Sequence, residues 1–158
     1  MEERYFMNKY YWLIIGILWH ILIFFQSSLP GEASASQSGF IVDYIYPVIS
    51  NMGLGLSLEQ TAFIIRKLAH FTEYFILGAI FYQVYRKYFQ NKQLALILIT
   101  HGLLTAILDE TLQSFIPNRS GELRDVAIDT LGVITAYALC TIGRIVYERK
   151  RQKTTISN

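Results

Sequence analysis

Four apolar segments follow one another along the chain, separated by polar or basic stretches. They run from Tyr10 to Phe25, from a helix start near Leu58 to Tyr85, from Leu94 to Leu108 and from Val126 to Ile145. At the second segment, Ser57 and Gln60 fit the capping box of a helix N-terminus. Apolar segments of this kind predict transmembrane helices. We therefore expect an all-α integral membrane protein with a bundle of four transmembrane helices.

The connection from Gln26 to Gln60 is long, with Pro30-Gly31 and a Ser/Ala-rich patch. Its one moderately apolar piece, Phe40 to Met52, is interrupted by Asp43 and Pro47, so it is too short and broken to span a bilayer. We expect a long outer loop that contains an interfacial or re-entrant segment.

The first apolar segment allows two interpretations. Arg4 and Lys9, a short apolar core and the sequence Ala33-Ser34-Ala35 together resemble a signal peptide with a small-residue cleavage site. The interpretation that we favour is a retained transmembrane helix of about 17 residues, at the short end of the spanning range.

Composition supports the membrane class over a soluble domain. Of the 158 residues, 53% are apolar and 16% are charged, whereas soluble domains carry roughly 25% charged residues. A net charge of +2, with basic residues in short clusters at helix ends, gives no indication of nucleic-acid binding. The single Cys140 lies in an apolar run and supports neither a disulfide nor a zinc site.

Basic residues also predict an orientation. The N-terminal end, the turn at residues 86–92 and the C-terminal tail carry Lys and Arg, whereas residues 26–60 carry none. Because basic loops stay on the cytoplasmic side, four helices would place both termini inside. The stretch from Asp109 to Asp129 would then lie at the outer face.

Ionisable residues concentrate in this stretch, both ends of which run into apolar segments. An unpaired carboxylate in the middle of a membrane helix costs roughly 2.5–3.5 kcal/mol, so such groups face protein or water. Counting about 1.5 Å per residue from the inner helix ends puts three sets of polar residues in one layer, about 20–30 Å up. The sets are Lys67, His70 and Glu73; Asp109 and Gln113; and Asp125 and Asp129.

Helical periodicity places these residues on inward-facing stripes. At about 100° per residue, Arg66, His70 and Glu73 share one stripe, with Ile64, Leu68 and Phe75 opposite. Small residues, which allow membrane helices to approach closely, continue the other two stripes: Gly102, Thr105 and Ala106, then Gly132, Ala136, Cys140 and Gly143. We expect the polar groups to converge on one outward-facing pocket.

Structural interpretations of the same residues stay open. Arg66 and Lys67 can be anchors that extend to the membrane interface, and Glu110, Glu122 and Arg124 can be solvated loop charges. A purely structural ion-pair network is the alternative for the whole set. His101 is isolated in its apolar run and receives no role.

The predicted outer layer holds more acids than bases. Its bases are Arg66, Lys67, Arg119 and Arg124, and its acids are Glu73, Asp109, Glu110, Glu122, Asp125 and Asp129. Close carboxylates cannot all ionise cheaply, so one should hold a proton or share a cation. Either condition suits acid–base chemistry or a hard divalent cation, although no spacing here specifies a metal. The arginines and Lys67 suit a phosphate or carboxylate.

These motifs resemble the VanZ-like family. The resemblance spans about Tyr11 to Val146, and Asn118 stands where Gly is common in that family. It rests on Phe25 to Ser28; Lys67, His70, Glu73 and Tyr74; Asp109, Glu110 and Gln113; and Pro117, Arg119, Gly121, Glu122, Arg124, Asp125 and Asp129. The length fits one domain over residues 1–158, with a basic cytoplasmic tail at 147–158, and the resemblance implies a protein of the bacterial plasma membrane. It also implies a relation to glycopeptide (teicoplanin) resistance, without a settled reaction.

Our functional hypothesis is a pocket that binds or processes an anionic, lipid-linked cell-envelope molecule. The candidate catalytic residues are Lys67, His70, Glu73, Asp109, Glu110, Gln113, Arg119, Asp125 and Asp129. Glu73, Asp109 or Asp129 would carry a proton, His70 would be the partner acid or base, and Arg119 with Lys67 would grip the anion. A non-enzymatic modulator of antibiotic access and a small transporter are the alternatives. The expected partners are membrane lipid and a lipid-linked precursor or amphiphilic antibiotic; a divalent cation stays open as a cofactor.

Overall fold

The computed structural model describes the backbone of residues 2–53 and 55–156 and the side chains of residues 10–36, 38–53 and 55–154. Within these ranges the chain forms five helices and no strand, so the all-α expectation is confirmed. The helices are α1 (Glu2–Ser27), α2 (Gly31–Asn51), α3 (Leu58–Tyr85), α4 (Asn91–Gln113) and α5 (Leu123–Ile156). The side chains of Arg4 and Lys9, which the predicted orientation uses, lie outside the described residues.

Three of the described helices are long and apolar enough to cross a membrane. The segments are Tyr10–Ser27 in α1, Asn91–Gln113 in α4 and Leu123–Thr154 in α5. Large apolar side chains on their outer surfaces, such as Ile14, Leu104 and Leu139, are more than half exposed. A soluble protein rarely exposes so much contiguous apolar surface. The apolar exterior therefore matches a lipid environment.

Helix α3 lies at the centre of the bundle. It packs against α1, α2, α4 and α5, most extensively against α5. Its Tyr74, Leu77 and Phe81 form the core with Leu98 of α4 and Val133 of α5. Its opposite face carries the exposed Leu68 and Ile64, as the helical periodicity predicts.

The start of α3 is fixed by its capping residues. The Ser57 hydroxyl accepts a hydrogen bond from the Gln60 N–H at 3.1 Å, and the Gln60 side chain accepts one from the Ser57 N–H at 2.9 Å. These reciprocal bonds satisfy two backbone donors that the first turn leaves free. The predicted capping box is confirmed.

The connection between α1 and α3 differs from the sequence-based expectation. Residues 31–51 form one continuous helix that includes Pro47, rather than an irregular loop with a short apolar piece. A proline inside a helix removes one hydrogen bond and crowds the carbonyl four residues earlier, and Pro47 lies in the last turns of α2. The Ser/Ala-rich patch gives α2 a face of small residues, and the Gly31 N–H donates to the Pro117 carbonyl at 3.2 Å.

Small residues let the helices approach closely where the stripes predict it. A Cβ atom on Gly132 would lie 2.5 Å from the Phe71 carbonyl oxygen of α3, and one on Gly102 would lie 2.5 Å from the Val133 side chain. Ala106 and Ala136 are fully buried. Gly143 is the exception, because a Cβ there would meet nothing within 4 Å.

Candidate functional site

Side chains from three helices meet at the end of the bundle where α1 finishes. His70 of α3 places its Nδ1 atom 3.3 Å from Oδ1 of Asp129 on α5. Asp109 and Glu110 of α4 lie beside this pair, and each of the four residues offers a donor atom within 4.8 Å of the others. We call these four residues the carboxylate–histidine cluster. Its three acids are almost fully buried.

Hydrogen bonds from neighbouring segments orient two of these acids. The Ser27 hydroxyl, at the end of α1, donates to Oδ1 of Asp109. The Gln113 amide lies 3.4 Å from Oδ2 of Asp109 and 3.3 Å from Oε1 of Glu110. The Glu122 N–H donates to Oε2 of Glu110 at 2.8 Å. Glu110 is therefore a buried, hydrogen-bonded residue and not a solvated loop charge.

Lys67 and Asp125 form a separate buried ion pair. The ammonium of Lys67 lies 2.6 and 2.8 Å from the two carboxylate oxygens of Asp125 and 3.2 Å from Glu122. Both Lys67 and Asp125 are buried. The expected role of Lys67 in gripping an external anion does not fit this geometry, because its charge is already balanced by two acids.

Glu73 lies one turn along α3 from His70. Its Oε1 atom accepts a hydrogen bond from the Gln26 amide at 3.3 Å, and its backbone carbonyl accepts one from the Trp19 indole at 3.0 Å. Both partners belong to α1. These contacts attach α1 to α3 at the height of the site.

Arg119 ties the loop between α4 and α5 to the end of α1. One guanidinium nitrogen donates to the carbonyls of Gln26 at 2.9 Å and Ser27 at 3.4 Å, and the other donates to the Gln113 side-chain carbonyl at 2.7 Å. Burial lowers the pKa of Arg119 from its ordinary value, and the nearby Asp109 opposes that shift. Arginine stays charged at physiological pH regardless. The site therefore has one cation that makes no salt bridge to a carboxylate within the described residues.

The loop that carries Arg119 needs special backbone positions. Asn118 has a φ of 60°, in the left-handed region that Asn tolerates better than most residues. A Cβ on Gly121 would lie 2.2 Å from the Glu110 carbonyl oxygen. This close approach brings the Glu122 N–H onto the Glu110 carboxylate.

A cavity of about 560 Å³ opens beside the cluster, between α2, α3 and the loop. This volume is within the roughly 300–1,000 Å³ usual for small-molecule sites. The α2 side is lined by Ser34, Ala35, Ser38 and Gly39, while His70, Gln113 and Asp125 reach it from the site. The cations Arg66 and Arg119 line it as well. The arrangement can bind an anion next to a histidine and a set of acids.

Two charged residues predicted for the outer layer, Arg124 and Arg66, lie outside the carboxylate–histidine cluster. Arg124 is exposed and lies 5.9 Å from the centre of the Phe63 ring. Arg66 has a side chain that is 48% exposed, with a long 3.9 Å contact to Glu122. Arg66 is therefore at the mouth of the cavity rather than inside the cluster.

Several polar residues at the site are not predicted as site residues from the sequence. Ser27 and Gln26 contact Asp109 and Glu73, and their height at the end of the first apolar segment is the signal that could have found them. Tyr74, expected to be a packing residue, is fully buried next to Asp109.

His101 is not isolated. Its ring centre lies 5.0 Å from that of His20 on α1, and Nε2 of His20 lies 3.4 Å from the Thr105 hydroxyl. Thr105 precedes Asp109 by one turn of α4, so polar groups continue below the site. A single His in an apolar run gives no sequence signal for such a pairing.

The fold and the site together define an all-helical membrane protein with buried ionisable residues at one end of its bundle. The chain belongs to the VanZ/LLP1 family, whose family model matches residues 12–144. The resemblance found in the sequence motifs is thereby confirmed. Neither the curated proteins nor the solved structures include a match to this chain.

Proposed function

We propose that the cavity binds the anionic headgroup of a lipid-linked cell-envelope molecule and presents it to the carboxylate–histidine cluster. The observation that carries this proposal is the lining of the cavity: Arg66 and Arg119 line it together with His70 and Gln113, and the acids Asp43, Glu59 and Asp125 line it as well. Guanidinium groups match phosphate and carboxylate geometry through paired N–H donors. An anion held by both arginines would lie against His70.

Both arginines keep donors for such a ligand. A guanidinium has five N–H groups, and Arg119 directs its contacts to three neutral oxygens. Among the described residues, the ion-pair contact of Arg66 is the long one to Glu122. Lys67 would hold Asp125 in place at the cavity wall without binding the ligand itself.

We infer four membrane crossings, namely the three apolar segments in α1, α4 and α5, and helix α3. Its 28 residues correspond to about 42 Å at 1.5 Å per residue, and its Lys67, His70 and Glu73 contact residues of other helices or loops. Four crossings would place the basic turn at 86–92 and the basic tail on the cytoplasmic side of the bacterial plasma membrane. The cavity would then open to the outer leaflet.

Helix α2 would lie along the outer membrane interface. Its exposed Phe40 and Tyr44 rings are 5.0 Å apart, and aromatic side chains are enriched at the level of lipid headgroups. Its opposite face lines the cavity. An interfacial α2 would bring lipid headgroups to the two arginines.

Acid–base chemistry would use His70, because it lines the cavity and contacts the buried Asp129. A histidine held by a carboxylate can accept a proton from a bound hydroxyl or return one to a leaving oxygen. Glu73 and Asp109 would take part in the same proton exchange through their positions next to the pair.

Native mass spectrometry of the purified protein tests the ligand class. Phosphatidylglycerol and a polyprenyl phosphate should bind, and phosphatidylcholine should not. Arg119→Gln and Arg66→Gln should each weaken retention about tenfold or more, since a hydrogen bond to a charged group contributes about 1.5–3 kcal/mol. Arg86→Gln, at the opposite end of α3, is the matched control. Equal retention of phosphatidylcholine, or equal effects of Arg86→Gln and Arg66→Gln, would contradict the proposal.

A non-enzymatic function would use the same cavity without turnover. The chain would then alter the access of teicoplanin to its target at the outer leaflet. Bound polyprenyl phosphate or pyrophosphate recovered chemically unchanged after incubation would support this version. Cells that express the protein should then bind less fluorescent teicoplanin, and His70→Ala and Arg119→Gln should restore binding.

Transport is the second candidate, favoured by the polar groups below the site. His101 lies about 12 Å below Asp109 along α4, with Thr105 and His20 between them. The next layer is apolar, with Leu98 and Leu94 fully buried. Ion flux in proteoliposomes that is lost in Asp129→Asn would favour transport, and absence of flux would exclude it.

A further inference from the structure

We propose that the carboxylate–histidine cluster is a binding site for one divalent transition-metal cation, of the class of Zn²⁺ or Mn²⁺. The inference deepens the proposed function and rests on it for the anion that would complete the coordination. Its metal-binding part rests on His70, Asp109, Glu110 and Asp129 alone.

The first argument is geometric. Three helices bring one imidazole nitrogen and three carboxylate oxygens within 4.8 Å of one another. In the tetrahedral geometry of zinc, bonds of about 2.0–2.2 Å put the donors of one ion roughly 3.3–3.6 Å apart. The most widely spaced donors would therefore move roughly 1.2–1.5 Å closer around an ion.

The second argument is the state of Asp129. It is fully buried. Its Oδ1 atom lies 3.3 Å from Nδ1 of His70, within ion-pair distance, whereas its Oδ2 atom has no partner among the described residues. Buried polar groups in folded proteins are nearly always satisfied, and an exception calls for an explanation. A cation bound at this carboxylate would satisfy Oδ2.

Charge balance is the third argument. Among the described residues, no Lys or Arg forms a salt bridge with Asp109, Glu110 or Asp129. Lys67 is taken by Asp125 and Glu122, and Arg119 binds neutral oxygens. Buried charges are stable when they are paired or coordinate a metal. A divalent cation would offset two of the three negative charges.

An outer layer of hydrogen bonds already orients the ligands. Ser27 and Gln113 bind Asp109, and the Glu122 N–H binds Glu110. Each carboxylate keeps further lone pairs for an ion. Such outer partners fix ligand orientation in metal sites, and losing one costs about 10–100-fold in affinity.

The donor set indicates the class of metal. Ca²⁺ takes six to eight oxygen ligands and Mg²⁺ prefers oxygen in octahedral geometry. An imidazole ligand suits Zn²⁺ or Fe²⁺, whereas carboxylate ligands suit Mn²⁺, so a mixed set of one imidazole and three carboxylates fits Zn²⁺ or Mn²⁺. Because His70 lines the cavity, an open coordination position would face it. A bound phosphate oxygen could occupy that position, as substrates do in catalytic zinc sites.

Isothermal titration calorimetry tests the site in nanodiscs, using full-length protein stripped with EDTA and then titrated with ZnCl₂ or MnCl₂. The expected result is one ion per chain and weaker binding of MgCl₂ and CaCl₂. His70→Ala and Asp129→Asn should each reduce the affinity at least 100-fold, and Ser27→Ala about 10–100-fold. The control Glu148→Gln changes an exposed acid of α5 and should keep wild-type affinity.

X-ray absorption of the zinc-loaded wild-type protein keeps the test decisive if a variant misfolds. The expected first shell contains nitrogen and oxygen, with one imidazole and no sulfur. Wild-type protein that takes up no ion, or a shell containing sulfur, would overturn the proposal.

The lipid measurement separates this proposal from the proposed function. Headgroup binding that needs Arg66 and Arg119, in a protein that takes up neither Zn²⁺ nor Mn²⁺, would overturn the metal site and leave the proposed function standing. Metal binding that needs His70 and Asp129, without any headgroup binding, would support the metal site and overturn the proposed function.

Discussion

At the scale of single residues, the buried charged side chains of this protein are of two kinds. Lys67 and Asp125 balance each other, whereas Asp109, Glu110 and Asp129 make their polar contacts with His70 and with neutral donors in the described part of the chain. The sequence identifies both sets as costly in an apolar setting. It cannot say which acid Lys67 selects, since Asp125 and Glu122 are both within reach of it and Glu73 lies on the same helix.

The Lys67–Asp125 pair gives the first prediction. Lys67→Met leaves a buried Asp125 without its cation and should lower the free energy of unfolding by about 3–5 kcal/mol, the cost of breaking a buried pair. The free energy can be measured by SDS titration in mixed micelles. Arg144→Gln is the control, because the Arg144–Glu148 pair is exposed and such pairs contribute about 0.2–1 kcal/mol.

The double variant Lys67→Met/Asp125→Leu should recover most of that loss, since both buried charges are removed together. If the double variant loses as much free energy of unfolding as Lys67→Met and Asp125→Leu lose in sum, the two side chains are not coupled as their geometry implies.

At the scale of helices, the sequence predicts the structure of this protein best. Ser57 and Gln60 predict the start of α3, and the small-residue stripes predict close contacts at Gly102 and Gly132, because both signals are local and physical. Helix α2 was missed as a continuous helix, since its Ser/Ala-rich half lacks an apolar face and Pro47 indicates a break. Its helical state depends on packing against α3 and the loop.

Close packing of α3 and α5 gives the second prediction. Gly132→Ala would place a methyl group 2.5 Å from the Phe71 carbonyl oxygen, so the helices must separate, and we expect a loss of about 1–3 kcal/mol. Gly143→Ala meets no neighbour and should stabilise the protein by up to about 1 kcal/mol through helix propensity. Thermal denaturation in detergent compares the two. Equal shifts in melting temperature would contradict the assigned contact.

At the scale of the whole molecule, polarity is distributed unevenly. One end of the bundle carries the cluster, the cavity and the loop, while the outer surfaces are apolar. The sequence could place the ionisable groups at one height by counting residues. It could not place the cavity, because one wall is α2 and no periodic signal joins α2 to α3. The sequence could not predict the His20–His101 contact either, because the two residues are far apart in the chain.

Sidedness gives the third prediction, tested with single cysteines in a Cys140→Ala background. Ser120→Cys, on the loop beside the cavity, should react with a membrane-impermeant maleimide added to intact cells. Thr154→Cys, in the basic end of α5, should react only after permeabilisation, because basic segments stay inside. Labelling of Thr154→Cys in intact cells, or of both positions alike, would reverse or remove the proposed orientation.

An experimental structure of the protein in nanodiscs that contain phosphatidylglycerol tests the central claim most directly. The account predicts that donor atoms of His70, Asp109, Glu110 and Asp129 lie within 4.8 Å of one another and draw closer when an ion is bound. It also predicts headgroup density in the cavity between Arg66 and Arg119. Side chains of His70, Asp109 and Asp129 that point in separate directions, with lipid headgroups bound elsewhere, would contradict it.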